Sequence, residues 1–128
     1  TADDKTLFIG LTGDEVVEAY DVSGAQAKLI KRIPTGKGAH AFRARGDKRH
    51  VFVSNRVANT ISLLDTQSLK VVDSFAAPGG PDCMEFLSDQ RTLLVSSRWA
   101  RMEISNGSLP PLCAGSTPNS DTKQTCGR

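Results

Sequence analysis

The sequence predicts an all-β fold built from repeated four-stranded antiparallel units. Three observations lead there. The chain repeats itself at a spacing of about 42–44 residues. Each repeat breaks into short β-rich runs separated by turn signals. Apolar residues at helical spacing are scarce, and any helix would have to absorb Gly and β-branched residues.

The repeat is read by sliding the chain along itself. VFVSNRVANTISLLD (51–65) falls without a gap on LFIGLTGDEVVEAYD (7–21), 44 positions earlier, so that Phe52 meets Phe8, Val53 meets Ile9 and Asp65 meets Asp21. FAAPGGPDCMEFLSDQRTLLVSSR (75–98) falls on IPTGKGAHAFRARGDKRHVFVSNR (33–56), 42 positions earlier. There Gly80 meets Gly38, Asp89 meets Asp47, Arg91 meets Arg49, Val95 meets Val53 and Arg98 meets Arg56. The spacing drops because the turn after Asp21, VSGAQAK, is two residues longer than its counterpart. A period of this length is one β-propeller blade.

In the complete middle period the runs 39–44, 50–54, 60–64 and 70–76 read as strands. Gly46-Asp47 marks the first turn and Ala58-Asn59 the second. Asp65-Thr66-Gln67-Ser68 marks the third, with Asp65 set to accept backbone N–H groups. PGGP (78–81) links to the next period. The expected organisation is a partial propeller over 1–101, about two and a third blades, at approximately 5–37, 38–77 and 82–101. Residues 102–128 are expected to form a divergent, disordered tail rich in Ser, Thr, Pro, Gly and Asn. Closed propellers need about four or more blades. The expectation is therefore a part of a larger propeller, or a chain that self-associates to cover its end faces.

Composition agrees with a globular protein, with 38% hydrophobic and 23% charged residues among 128. No apolar run approaches the length of a membrane span. The opening TADDK has no basic segment followed by an apolar one, so a signal peptide is absent or already removed. A net charge of +2 does not by itself predict nucleic-acid binding. The basic clusters KLIKR (28–32), RARGDKRH (43–50) and RWAR (98–101) read as solvated loops and strand edges. Of the three cysteines, Cys113 and Cys126 are able to pair in an oxidising compartment, which leaves Cys83 over. No CxxC is present, and His40 and His50 stand at no zinc spacing, so no metal is expected.

VFVSN, NTISLLDT and KVVDSF, followed by a Gly/Pro-rich link and MEFLSDQRTLLVSSR, resemble the YVTN-type β-propeller repeat. The signature tetrads stand as Phe8-Ile9-Gly10-Leu11, Phe52-Val53-Ser54-Asn55 and Leu94-Val95-Ser96-Ser97. The acid pairs are Tyr20-Asp21 and Leu64-Asp65. The Gly-Pro survives as Gly80-Pro81, with Gly38-Ala39 in the matching place. The resemblance covers roughly 5–101 and marks architecture more than chemistry. It implies an exported bacterial protein, periplasmic or extracellular. It also implies a non-enzymatic module for ligand binding, protein binding or scaffolding, with WD40-like architecture and no cofactor. An alternative is a fragment of an enzyme-associated propeller, either haem-d1 nitrite-reductase-like or lactonase-like. The haem reading needs an axial ligand. His40 and His50 are the histidines on offer, without a supporting motif. No convergent Glu/His/Arg set supports the lactonase reading.

The residues give few sites of their own. TGKGAH (35–40) lacks the spacing of a phosphate-binding loop and reads as an inter-blade link. RGD (45–47) sits at a turn where Gly-Asp is favoured for backbone reasons. Asp3-Asp4 and Asp14-Glu15 read as solvent-facing. No catalytic constellation is legible. The best binding candidates are Arg56, its repeat equivalent Arg98, and Trp99, set between Arg98 and Arg101. Such an Arg/Trp rim suits stacking on a ligand or a nucleic-acid base.

After VSSRWAR the repeat calls for an alternating strand ending in an acid, and the chain reads WARMEISNG instead. Either the tail diverges genuinely, or a reading-frame change or truncation lies near codon 101. Translating the coding sequence in the other two frames decides this. A shifted frame should restore an Ile-Asp type repeat, and failure to find one in either frame ends that idea.

Overall fold

The computed structural model describes residues 1–98 and the strand Met102–Asn106. Ten strands and no helix occur among the described residues. They are β1 (Thr6–Leu11), β2 (Val16–Asp21), β3 (Lys28–Pro34), β4 (Ala39–Ala44), β5 (His50–Asn55), β6 (Thr60–Asp65), β7 (Lys70–Ala76), β8 (Pro81–Phe86), β9 (Thr92–Ser97) and β10 (Met102–Asn106). Every pairing is antiparallel, in three sheets ordered β1-β2-β3, β4-β5-β6-β7 and β10-β9-β8. The all-β prediction holds, and the middle sheet is the complete four-stranded blade read from the sequence. β10 pairs with β9 inside the segment assigned to the tail, so strand structure runs past the boundary drawn at 101. Its register sets Asn106 opposite Thr92, as Asp65 stands opposite His50. The expected acid is thus replaced by Asn.

Side-chain alternation builds two cores from one rule. Val17, Ala19 and Ile33 of the first sheet meet Ala39, Val53 and Leu64 of the second. Phe52, Ile61, Leu63 and Phe75 of the second meet Met84, Leu93 and Val95 of the third. Phe52 and Phe86 meet edge to face, with centroids 5.8 Å apart. Each Val, Leu, Ile, Phe or Met side chain fully buried in this way contributes about 1.5–3 kcal/mol relative to exposure.

The turns repeat as faithfully as the cores. Asp3, Asp47 and Asp89 each accept a backbone N–H two residues on, from Lys5, Arg49 and Arg91. Between them Asp4, Lys48 and Gln90 take left-handed backbone at φ 57°, 59° and 53°. Asp3-Asp4, read above as a solvent-facing pair, is thus the first copy of a structural turn. The RGD segment is the second copy. Burial pushes the Asp47 carboxyl up, but the N–H groups of His50 and Arg49 and the His50 ring outweigh it and bring it down to about 2.

Asp65 ties one end of the middle blade together. Arg49 clamps it with Nε on Oδ1 at 3.1 Å and Nη2 on Oδ2 at 2.6 Å, and Gln67 N donates to Oδ1 at 2.9 Å. The guanidinium is the main cause that holds this buried carboxyl well below its ordinary 3.8. A depressed folded value means the stabilisation is complete above the unfolded value and fades as pH falls through the folded one. Urea unfolding of the wild type should therefore show stability falling below about pH 4. Asp65→Asn should cost about 2 kcal/mol at neutral pH and flatten that acid limb. An unchanged limb refutes the assignment.

Candidate functional site: the inner seam between two blades

β4 and β8 open with the same irregularity. β4 pairs Ala39 with Asn55 and then Phe42 with Val53, so three steps on one strand face two on the other. β8 repeats this with Pro81 on Ser97 and Met84 on Val95. Each bulge frees a backbone N–H that a repeated serine accepts, Ala41 N to Ser54 Oγ and Cys83 N to Ser96 Oγ, both at 3.0 Å. A bulge re-aims the side chains it carries. Here it brings His40 of one blade to Asp82 of the next, 42 positions on, with Nε2 and Oδ1 3.0 Å apart.

Arg56 completes the cluster. Its Nε donates to Asp82 Oδ1 at 2.9 Å, and its Nη2 reaches both Asp82 Oδ1 and His40 Nε2. His40 Nε2 thus faces a donor and an acceptor, and the imidazole tautomer decides which bond forms. All three side chains are about one-third exposed or less. Further along the same two strands Arg43 pairs with Glu85, again 42 residues apart.

The link between blades positions the cluster. Arg56 N donates to Gly38 O at 3.0 Å, and Arg98 N donates to Gly80 O at 2.9 Å. Gly38 and Gly80 have φ of 84° and 69°, a region that disfavours side chains. A Cβ on Gly38 would also stand 2.8 Å from Val57 N. Thr12 occupies the place of Arg56 in the first blade, and its Oγ1 reaches Ala39 O at 3.0 Å. The residue after the second strand therefore contacts the next blade's inner strand in both described cases.

The structure places Arg56 at this seam and Arg98 at the matching, exposed place one blade on. Trp99, Cys113 and Cys126 lie outside the described residues. Sequence reasoning missed Asp82, and weighed His40 only as a zinc or haem ligand. The signal was present in the 42-residue spacing, which sets His40 and Asp82 at equivalent positions. TGKGAH is the inter-blade link, with Gly36 pressed against Asn55 and Thr60. Cys83 is an exposed free thiol on the second bulge. Among the described residues no group of three His, Cys, Asp or Glu side chains is arranged to hold a metal.

Repeated antiparallel sheets of three, four and three strands, stacked face to face and clamped at an inner seam, define a β-propeller. The family model for YNCE-like beta-propellers matches residues 1–106, and the chain belongs to that family. No curated protein matches it. Among solved structures it is similar to hydrazine synthase of Kuenenia stuttgartiensis, at 18% identity and a TM-score of 0.71, covering 83% of this chain and 30% of that one. It is also similar to a functionally unknown protein of Desulfotomaculum acetoxidans DSM 771, at 17% identity and a TM-score of 0.68, covering 80% and 34%. A third is the dihydro-heme d1 dehydrogenase NirN in complex with DHE, at 16% identity and a TM-score of 0.67, covering 93% and 27%. These likenesses show the fold. The chain spans about a third or less of each matched structure.

Arg56→Ala and Asp82→Asn should each lower stability by about 1 kcal/mol, and a double-mutant cycle should return coupling of about 0.5–2 kcal/mol. Additive effects in urea unfolding would show that the pair does not hold the seam.

Proposed function

We propose that this β-propeller serves as a non-enzymatic repeat module that binds a ligand or a protein, or scaffolds one, within an exported bacterial protein. One observation carries the reading. Positions that build the blades recur from repeat to repeat, whereas the bulge residue changes from His40 to Asp82 and the position after the second strand from Thr12 to the arginines Arg56 and Arg98. A rigid scaffold with variable side chains along one seam is how propellers support many unrelated functions. Arg98 stands at the same rim, Trp99 follows it in the sequence, and a single-stranded nucleic acid is a weaker candidate for the pair. Export is inferred from the YVTN-type resemblance.

A second reading makes the chain part of a redox propeller. The matched dihydro-heme d1 dehydrogenase NirN is in complex with DHE, and 93% of this chain aligns with it. His40 at the seam would then be the axial-ligand candidate.

Titration with haemin separates the two readings. The module reading expects no saturable Soret change. A one-to-one Soret shift that disappears in His40→Ala would replace it with the haem reading.

A further inference from the structure

His40 Nε2 stands within hydrogen-bond distance of two groups that make opposite demands on it. Arg56 Nη2, 2.5 Å away, is a guanidinium nitrogen that only donates, so it needs the bare lone pair of Nε2. Asp82 Oδ1, 3.0 Å away, is a carboxylate oxygen that only accepts, so it needs a proton on Nε2. One nitrogen cannot meet both demands at once. The bulges of β4 and β8 fix the conflict in place, because they aim His40 and Asp82 at each other from paired strands. Asp82 Oδ1 also takes both contacts from Arg56, through Nε and Nη2, so imidazole and guanidinium converge on a single carboxylate oxygen.

We propose that His40 is a proton-operated switch of this seam. The neutral imidazole, bare at Nε2, accepts from Arg56 and leaves Asp82 to the guanidinium. The imidazolium donates its Nε2 proton to Asp82 and sets a second positive charge beside Arg56. Arg56 then loses one acceptor outright and shares the other, so proton uptake loosens its guanidinium from the seam. The surrounding charges leave this exchange to the three side chains. β4 packs against β1, β5 and β8. β1 has no titratable side chain, and the hairpin after it carries Asp14, held by Arg32, and the exposed Glu15. The link before β4 carries the exposed Lys37. β5 has His50 at its far end, bonded to Asp47, and leads into Arg56. β8 brings Asp82, then Cys83, whose Sγ is 4.0 Å from Asp82 Oδ1, and Glu85, which pairs with Arg43 of β4. The switch is a property of the seam and holds whichever ligand the module binds.

Imidazoles change charge between about pH 5 and 8, where carboxylates and guanidinium groups ordinarily keep theirs. A double-mutant cycle of Arg56→Ala with Asp82→Asn, run by urea unfolding of the full chain at about pH 8 and about pH 5.5, reads the switch. Expressed as a factor in the unfolding equilibrium constant, the coupling should be at least about threefold smaller at the lower pH. His50 and Asp47 are present in every protein of the cycle, so their own titration cancels. In a His40→Gln background the side-chain amide offers an acceptor and a donor together without titrating, and the coupling should be the same at both pH values. Nitrogen NMR shifts of the wild-type imidazoles should show His40 Nε2 without a proton at the higher pH. Equal coupling at both pH values in the wild type, a larger coupling in acid, or a pH dependence that survives His40→Gln overturns the proposal. So does a protonated Nε2 at the higher pH, which would mean that Asp82 already holds His40. Additive substitutions at both pH values overturn the switch together with the seam pair.

Discussion

Everything else in this chain depends on the burial of one sheet's front against the next sheet's back. A single four-stranded antiparallel sheet has two faces and no interior, and it cannot hide both alone. Small residues at Ala19 and Ala39 let the inner parts of the first two sheets approach. Larger ones at Phe52, Leu63 and Phe75 fill the second interface. The same positions carry both interfaces, so the repeat in the sequence is a record of this packing.

The inner seam follows from that stacking. Once two sheets lie face to face, their inner strands run side by side, and residues one period apart become neighbours. His40 meets Asp82 and Arg43 meets Glu85 across that seam. The bulges of β4 and β8 aim the first of these pairs, and Ser54 and Ser96 satisfy the N–H groups that the bulges release. Arg56 is held on the link by its backbone before its guanidinium reaches Asp82. Structural economy and chemical variety thus share a few residues, with the backbone pattern repeated and the side chains free to differ.

Much of the fold was legible because each turn and strand has a local cause. The runs 39–44 and 70–76 coincide with β4 and β7, and the two middle strands run one residue further, to Asn55 and Asp65. Asp at a turn and alternating apolar residues need no tertiary context to be recognised. The Asp3 turn escaped because DDKT (3–6) shares only its first Asp with its counterpart DKRH (47–50). β10 escaped because MEISN alternates weakly and ends on Asn, and its pairing with β9 is a non-local contact.

The sequence by itself determined the period, the strand order within each blade, the glycine-bearing links and the family, since these rest on local backbone preferences repeated at a constant spacing. It pointed to Arg56 through its recurrence at Arg98. Only the tertiary structure decided that Arg56 faces Asp82 and His40 and that Asp65 is locked by Arg49. These are contacts between residues far apart along the chain. They come into existence when the sheets stack and bring positions one period apart within reach.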